Sequence, residues 1–318
     1  MRKWLALAAT GVMALGVISC GDDDDNDGGG GSSGGGGDLS GTIKIDGSST
    51  VAPLSEAAAE LFQAENPDVR VTVGTSGTGG GFEKFCAGET DISDASRAIE
   101  DDEIALCKKE GIKYEEIQVA NDGLAVIVNP ANDFANCLTV NEVKKIYDKG
   151  SEVNNWSQVN PDFKDVEMEL FGAGTDSGTF DYFTEAINGE EGRSRSDYNA
   201  TEDDNVTIQG VSGADGGVGY LGFSYVEQNE GKVKAVEIDG GDGCVGPSSE
   251  TVQDASYKPL SRPLFVYPSA KALQRPEVQA FVEFYLENAQ PIADQALFVG
   301  LTEAQLTESQ DKVAQLGK

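Results

Sequence analysis

One pattern recurs three times in this chain: a strand-like segment, a turn rich in Ser, Thr and Gly, and then a helix. The turns are residues 47–51 (GSSTV), 74–81 (GTSGTGGG) and 171–179 (FGAGTDSGT). Strands that alternate with helices predict an α/β fold with mainly parallel sheets. Ligand sites in such folds lie at the carboxyl ends of the strands, where all three turns are placed.

The third turn has the composition of an anion-binding loop. It runs into a helix whose N-terminus we place near residues 177–179. The first N–H groups of a helix have no intrahelical acceptor and lie at the positive end of its dipole. The hydroxyls of Ser177 and Thr179 add donors, so the turn can bind a small oxyanion. An ordinary serine N-cap is the alternative, and the two similar turns favour the anion site.

Periodicity and capping signals predict the remaining elements. Strands are predicted at residues 42–45, 69–73, 117–128, 168–171 and 262–268. Helices are predicted from Pro53, from Phe82 to Gly88, from Asp101 to Gly111, from Thr139 to Asp148, from Pro276 and from Thr302. An Asn-Asp-Gly turn signal lies inside the third strand, at residues 121–123. The G-x-G-x-x-G spacing at 217–222 leads into a strand-like segment, which argues against a dinucleotide site.

Composition excludes several classes of function. The 318 residues carry a net charge of −32, so nucleic acid and anionic lipid surfaces are poor direct partners. The chain has no histidine, which excludes Ser-His-Asp and Cys-His catalysis and histidine-ligated metals. No metal, cofactor or enzymatic activity is therefore predicted. A serine-type hydrolase or phosphatase with a Ser-Lys dyad and an adhesion or scaffold lipoprotein are the alternatives from other classes.

The N-terminus and the cysteines predict an exported protein. Residues 1–19 have the basic start and apolar core of a signal peptide, and residues 20–40 are a Gly/Asp/Ser-rich segment that predicts a flexible tether. Four cysteines of the body predict two disulfides with three possible pairings: Cys86, Cys107, Cys137 and Cys244. The pairing Cys86–Cys107 with Cys137–Cys244 is favoured because its first bond closes a local loop. Free buried thiols are the alternative.

Four motifs, taken in order, resemble the PstS-type phosphate-binding proteins of bacterial phosphate ABC transporters. They are GSSTV at 47–51, the glycine turn around Ser76, DISDASR at 91–97 and DSGTF at 176–180. The resemblance covers residues 41–318 and implies an α/β, two-lobed periplasmic binding protein of type II. Its ligand cleft lies between lobes joined by two extended crossings, which we place at 122–130 and 259–268. Lobe 1 is then 41–122 plus 262–318, and lobe 2 is 123–261.

The same resemblance implies a function. The chain is expected to be a monomer that binds inorganic phosphate with high affinity outside the cytoplasmic membrane and delivers it to an ABC permease. Another tetrahedral oxyanion such as sulfate is the alternative ligand. Residues 17–20 (VISC) resemble a bacterial lipobox. That likeness implies an acylated Cys20 and a lipid-anchored protein on the periplasmic or cell-surface side of a membrane, whereas a plain secretory signal with a chance cysteine is the alternative.

The phosphate ligands implied by the resemblance come from all these motifs: Ser49, Thr50, Val51, Ser76, Ser96, Arg97, Ser177, Gly178 and Thr179. Many relatives have an Arg where this chain has Ala173, and an Asp where it has Ser96. We infer that Arg97 replaces the missing arginine, because a guanidinium can bind an oxyanion bidentately. A structural salt bridge is the alternative role. Asp94 and Asp176 are the candidate acceptors for a proton on phosphate.

Overall fold

The computed structural model describes residues 39–316. The predicted signal peptide, Cys20 and all but the last two residues of the predicted tether lie outside the described residues. The strands are β1 Gly41–Gly47, β2 Val69–Gly74, β3 Ile92–Ala95, β4 Ile117–Val128, β5 Cys137–Thr139, β6 Glu169–Ala173, β7 Asn199–Thr201, β8 Gly217–Gly222, β9 Lys234–Ala235, β10 Glu237–Asp239, β11 Cys244–Val245 and β12 Ser261–Pro268.

The α-helices alternate with these strands over most of the chain. They are α1 Ala52–Glu65, α2 Gly77–Cys86, α3 Asp101–Glu110, α4 Val140–Tyr147, α5 Trp156–Val159, α6 Gly178–Phe183, α7 Asp204–Gly213, α8 Phe223–Gln228, α9 Ser249–Gln253, α10 Pro276–Glu287, α11 Ala289–Ala296 and α12 Glu303–Leu316. A π-helical turn, Thr184–Asn188, extends α6, and a short 3-10 helix covers Ala272–Gln274. No helix within residues 39–316 combines the length and the apolar character that crossing a membrane requires.

Nine strands form one mixed sheet, with eight in the order β2-β1-β3-β12-β4-β8-β6-β7 and β9 beside β4. Strand β1 pairs in parallel with β2 and β3, and β6 pairs in parallel with β7 and β8. The two central strands are antiparallel to their neighbours, since β12 pairs with β3 and β4, and β4 pairs with β8. The expectation of mainly parallel pairing is therefore wrong at the centre. The reason is that β4 and β12 run across the middle of the molecule in opposite directions.

The long strand β4 connects two groups of parallel strands. Its first half pairs with β12, with Asp122 opposite Arg262, and its second half pairs with β8 from Leu124 onward. The Asn-Asp-Gly signal at 121–123 makes no turn, because pairing on both halves keeps these residues extended. A local turn propensity has been overridden by tertiary pairing.

Helix α2 begins at Gly77, five residues before the predicted start at Phe82. A run of glycines disfavours a helix on propensity alone, because glycine loses the most backbone entropy. Here the glycines permit close packing: a Cβ on Gly81 would lie 2.5 Å from Gly47 Cα and 3.0 Å from Asp46 O. The missing side chains let α2 press against the end of β1.

Buried apolar side chains form two large clusters that divide along the chain. One draws on residues between Ile43 and Ala120 and between Leu264 and Val313. The other draws on residues between Leu124 and Leu260, with Val299 added. Two cores of this kind are what a two-lobed fold requires, and the exact lobe boundaries given above stay a prediction.

The predicted disulfide pairing is confirmed. Cys86 at the end of α2 is bonded to Cys107 in α3, with a sequence separation of 21. Cys137 of β5 is bonded to Cys244 of β11, with a separation of 107. The second bond ties two strands of the small sheet β11-β10-β5.

Candidate functional site

The first Ser/Thr/Gly loop follows β1 and is ordered by its own backbone contacts. Ser48 Oγ accepts the Thr50 N–H at 3.2 Å, and the Ser48 N–H donates to Asp94 O at 2.9 Å. The Val51 N–H donates to no acceptor within residues 39–316, although Val51 is fully buried. Ser49 is exposed at the tip. This loop therefore keeps one backbone donor and the Thr50 hydroxyl for another partner.

The third loop ends at the start of α6, as predicted. Ser177 is the N-cap, and its Oγ accepts the Thr179 N–H at 3.1 Å. The Gly178 N–H, at the first helical position, donates to no acceptor among the described residues. A Cβ on Gly178 would lie 2.7 Å from Thr50 Oγ1 and 3.2 Å from Thr50 Cα. The first and third loops thus meet at Thr50 and Gly178.

In the second loop, both the backbone N–H and the hydroxyl of Ser76 are engaged by Asp46. Ser76 donates its hydroxyl to Asp46 Oδ1 at 2.5 Å, and its N–H donates to the same oxygen at 3.1 Å. Lys84 Nζ lies 2.6 Å from the other Asp46 oxygen. The Ser76 hydroxyl proton is therefore already engaged, and a ligand would displace it from Asp46 or use the Ser76 lone pairs.

Arg97, the cation predicted from the sequence, is held by carboxylates. Its Nη1 and Nη2 each lie 2.8 Å from one oxygen of Glu103, and its Nε lies 3.3 Å from Glu100 Oε1. The hydrogen bonds that Arg97 donates to Glu103 raise the pKa of Arg97. Neighbouring Ser96 pairs its hydroxyl with Thr78 Oγ1 at 3.1 Å. These contacts match the salt-bridge role that the sequence left as the alternative.

The two predicted proton acceptors lie apart. Asp94 is fully buried and accepts the Ser55 hydroxyl at 2.9 Å through Oδ1, while its Oδ2 has no partner within residues 39–316. Burial raises the pKa of Asp94 to about 8. Asp176 is exposed in the loop before α6, and its N–H lies 3.4 Å from Glu202 Oε1. Neither residue lines the cleft described below, and their role stays a prediction.

A second arginine, which the sequence motifs missed, lies beside the meeting point of the loops. Arg262 of β12 donates through Nη2 to Thr50 Oγ1 at 3.2 Å and through Nε to Asp122 Oδ2 at 3.2 Å. Its guanidinium carbon lies 3.6 Å from the centre of the Tyr182 ring. Burial raises the pKa of Asp122, and the guanidinium of Arg262 opposes that shift. The available signal was a pair of opposite charges, Asp122 and Arg262, in the two predicted crossings.

A cleft of about 580 Å³ lies between the second loop, Arg97 and Arg262. It is lined by residues 76–80 and 96–98, by Tyr182, Glu185 and Glu191, and by Arg262, Pro263 and Phe265. Ser76, Ser96 and Arg97 are thus brought together, and Arg262, which lines the same cleft, contacts Thr50 of the first loop. The predicted ligands of the first and third loops do not line this cleft: Ser49, Thr50, Val51, Ser177, Gly178 and Thr179.

A larger groove, of about 1100 Å³, runs along α12. Its wall carries Glu115, Glu303, Glu308 and Asp311, with Lys312 as the one cation among its lining residues. Like charges repel at close range, so this groove disfavours anions. The cleft with two guanidinium groups is the better candidate site for an oxyanion.

A mixed α/β sheet with two cores, two long antiparallel central strands and a cleft lined by β12 defines a two-lobed periplasmic binding protein of type II. Residues 32–289 match the family model described as PBP superfamily domain. The chain is 40% identical over 316 residues to the phosphate-binding protein PstS of Staphylococcus saprophyticus, a match that covers 98% of this chain and 95% of that protein. The chain belongs to the PstS family of phosphate-binding proteins.

Two further comparisons agree with this membership. Protein SphX of Synechococcus elongatus is 47% identical over 262 residues, which is 81% of this chain and 77% of that protein. The crystal structure of a possible phosphate binding protein from Planctomyces limnophilus superimposes with a TM-score of 0.84 at 47% identity. That match covers 88% of this chain and all of the other chain.

Proposed function

We propose that this chain binds inorganic phosphate with high affinity outside the cytoplasmic membrane and delivers it to an ABC permease. The observation that carries the proposal is the meeting of Thr50 and Gly178 beside Arg262. It joins a hydroxyl, a guanidinium and a helix N–H that has no acceptor within residues 39–316 at one point. Relatives of nearly the same length are named phosphate-binding proteins. The protein acts by binding alone, as a monomer, and catalyses no reaction.

The ligand set proposed from the sequence comprises the polar groups of the three loops: Ser49, Thr50, Val51, Ser76, Ser96, Ser177, Gly178 and Thr179. Backbone N–H groups and hydroxyls at the ends of strands and the starts of helices are the donors that bind oxyanions. Arg97 lies in the same cleft, and its role as a ligand is tested below against its salt bridge with Glu103. Asp94 and Asp176 stay proposed as proton acceptors, Asp94 in its ionised form, which prevails above its raised pKa of about 8.

Selectivity tests this function against its closest alternative. Phosphate at neutral pH carries a proton that a carboxylate can accept, whereas sulfate has none and is repelled by that carboxylate. The cleft wall carries Glu185 and Glu191. An unpaired buried acceptor costs about 1–3 kcal/mol, and repulsion adds to it, so phosphate is expected to bind about 10³-fold more tightly. Equilibrium binding of labelled phosphate in competition with sulfate measures the ratio, and equal affinities would count against a phosphate receptor.

Attachment to a membrane is proposed through Cys20 alone. The sequence VISC at 17–20 motivates it, and the net charge of −32 disfavours binding to anionic lipid by the body. Cys20→Ser should move the protein from the membrane fraction to the soluble fraction. A mutant that still sediments with membranes contradicts the anchor.

A further inference from the structure

We infer that Arg262, which lies outside the three Ser/Thr/Gly loops, is the cation that binds the oxyanion, and that Asp122 and Tyr182 position its guanidinium. The inference deepens the proposed function and rests on it. It gives Arg262 of β12 the role of the ligand-binding cation, which the sequence analysis gave to Arg97. Three contacts of Arg262, with Asp122, Thr50 and Tyr182, and a comparison of the two arginines carry it.

Arg262 retains donors for a ligand. A guanidinium has five N–H groups. Nε donates one to Asp122, and Nη2 donates one to Thr50. The other three donate to no acceptor within residues 39–316, and the residue lines the cleft although its side chain is only 14% exposed. A partly desolvated guanidinium with adjacent free N–H groups is suited to bidentate binding of an oxyanion.

Arg97 retains little by comparison. All three of its nitrogens are engaged, two with Glu103 and one with Glu100, and Nη1 also donates to Ala98 O. Glu103 in turn accepts the Glu100 N–H at the start of α3. An anion that recruited Arg97 would break a bidentate ion pair with a carboxylate that also takes part in the capping box of α3. Arg97 has two carboxylate partners, so the sum of the three charges is negative, whereas Arg262 has one carboxylate partner and the pair is neutral.

The contact with Thr50 gives that hydroxyl a fixed role. A threonine hydroxyl has one proton and two lone pairs. Because Thr50 Oγ1 accepts from Arg262, its proton must point elsewhere, and Gly178 lies against the same oxygen. Arg262 therefore orients the Thr50 hydroxyl as a donor toward the meeting point of the loops.

Asp122 and Tyr182 fix the guanidinium from two sides. Asp122 stands opposite Arg262 in the register of β4 and β12, and its side chain is 7% exposed. The Tyr182 ring stacks on the guanidinium, and its hydroxyl donates to Pro259 O at 2.9 Å. Stacking and an ion pair together restrict the rotamers of an arginine, so less entropy is lost when it binds a ligand.

The test measures phosphate affinity by calorimetric titration of the full-length chain. Arg262→Gln should weaken binding at least about 100-fold, and Arg262→Lys should recover only part because an ammonium lacks the planar fork. Thr50→Val in a double-mutant cycle with Arg262→Lys should show coupling of about fivefold or more. The matched control is Arg275→Gln. It removes the same charge from a salt bridge with Asp91, neither residue lines the cleft, and phosphate affinity should stay within about twofold of wild type.

Three results overturn the inference. The first is an Arg262→Gln affinity within about threefold of wild type, with an unchanged ligand-free melting temperature. The second is a loss in Arg97→Gln that exceeds the loss in Arg262→Gln. If Arg262→Gln does not fold, a double-mutant cycle without coupling between Arg262→Lys and Thr50→Val is the third. The wild-type titration tests the proposed function separately: binding of sulfate alone refutes the phosphate function, and the same variants titrated with sulfate still decide the role of Arg262. Binding of neither anion refutes both.

Discussion

Gly178→Ala probes the point at which the first and third loops meet. The added methyl would lie 2.7 Å from Thr50 Oγ1, 3.2 Å from Thr50 Cα and 3.3 Å from Thr50 N. Two of these three atoms belong to the backbone, so a rotamer change of Thr50 cannot relieve the contact. Carbon contacts are optimal near about 3.5–4.0 Å, and the loops must therefore separate by about 0.5–1 Å.

The magnitude follows from the cost of overpacking. Inserting a methyl into a packed contact costs about 1–3 kcal/mol. If the ligand-free chain relieves the contact by opening the cleft, the cost appears only when phosphate draws the loops together. Phosphate affinity should then fall by about 5- to 150-fold, since each 1.4 kcal/mol is about tenfold. Alanine is a better helix former than glycine, so the helix itself should not be weakened.

Calorimetric titration with phosphate and ligand-free thermal melting together measure the effect. Gly213→Ala is the matched control, because a Cβ there meets nothing within 4 Å and the residue ends α7, whose residues do not line the cleft. We expect the control to bind phosphate within about twofold of wild type. An unchanged affinity in Gly178→Ala would refute the idea that both loops contact one ligand. A large drop in melting temperature with unchanged phosphate affinity would show that the contact between Gly178 and Thr50 serves only the stability of the fold.

Two further predictions concern charged groups that the sequence singled out. Arg97→Ala should lower the ligand-free melting temperature by about 2–6 °C, because the bidentate pair with Glu103 contributes about 1–2 kcal/mol to stability. The same variant should keep its phosphate affinity within about fivefold of wild type. A loss of phosphate affinity of about 30-fold or more, without a change in melting temperature, would show that Arg97 is a ligand. Asp94→Asn should flatten the pH dependence of stability. Burial raises the pKa of Asp94 to about 8, and repulsion from Asp46 and Glu56 adds to the shift. The free energy of unfolding of the wild type should therefore decrease as pH rises from about 4 to about 8. Urea unfolding near pH 5 and pH 8.5 gives the free energy of unfolding of the wild type and of the mutant. An equally steep pH dependence in both would contradict a buried, protonated Asp94.

The order of helices and strands is predictable from this sequence because its signals are local. Pro53 in the first turn of α1, the capping box of Thr139 with Glu142 and the positive φ of Gly111 after α3 all act within a few residues. The start of α2 was predicted too late because the glycines that disfavour a helix locally are required by packing against Gly47. The antiparallel centre of the sheet could not be predicted, since pairing between β4 and β12 joins residues about 140 positions apart.

The loops of the site were predictable for the same reason, and the cation was not. Ser177 caps α6 through a contact two residues away, so composition alone identifies the loop. The role of Arg262 depends on register: β12 places it opposite Asp122, and only then does it reach Thr50, which is 212 residues away. The sequence favours Arg97 as the ligand-binding cation because it lies inside a motif. A motif does not reveal that the charge of Arg97 is paired with Glu103.

The contacts of Arg262 also explain how a chain with a net charge of −32 can bind an anion. Exposed carboxylates farther than a Debye length, about 8–10 Å, are largely screened. Arg262 itself is paired with Asp122, so the site offers directed N–H groups on an ion pair that is neutral overall. Attraction then depends on hydrogen bonds made at fixed distances and angles, which salt weakens little. A shift of half an ångström at Gly178 or the loss of the planar fork at Arg262 should therefore cost more affinity than the removal of any exposed charge.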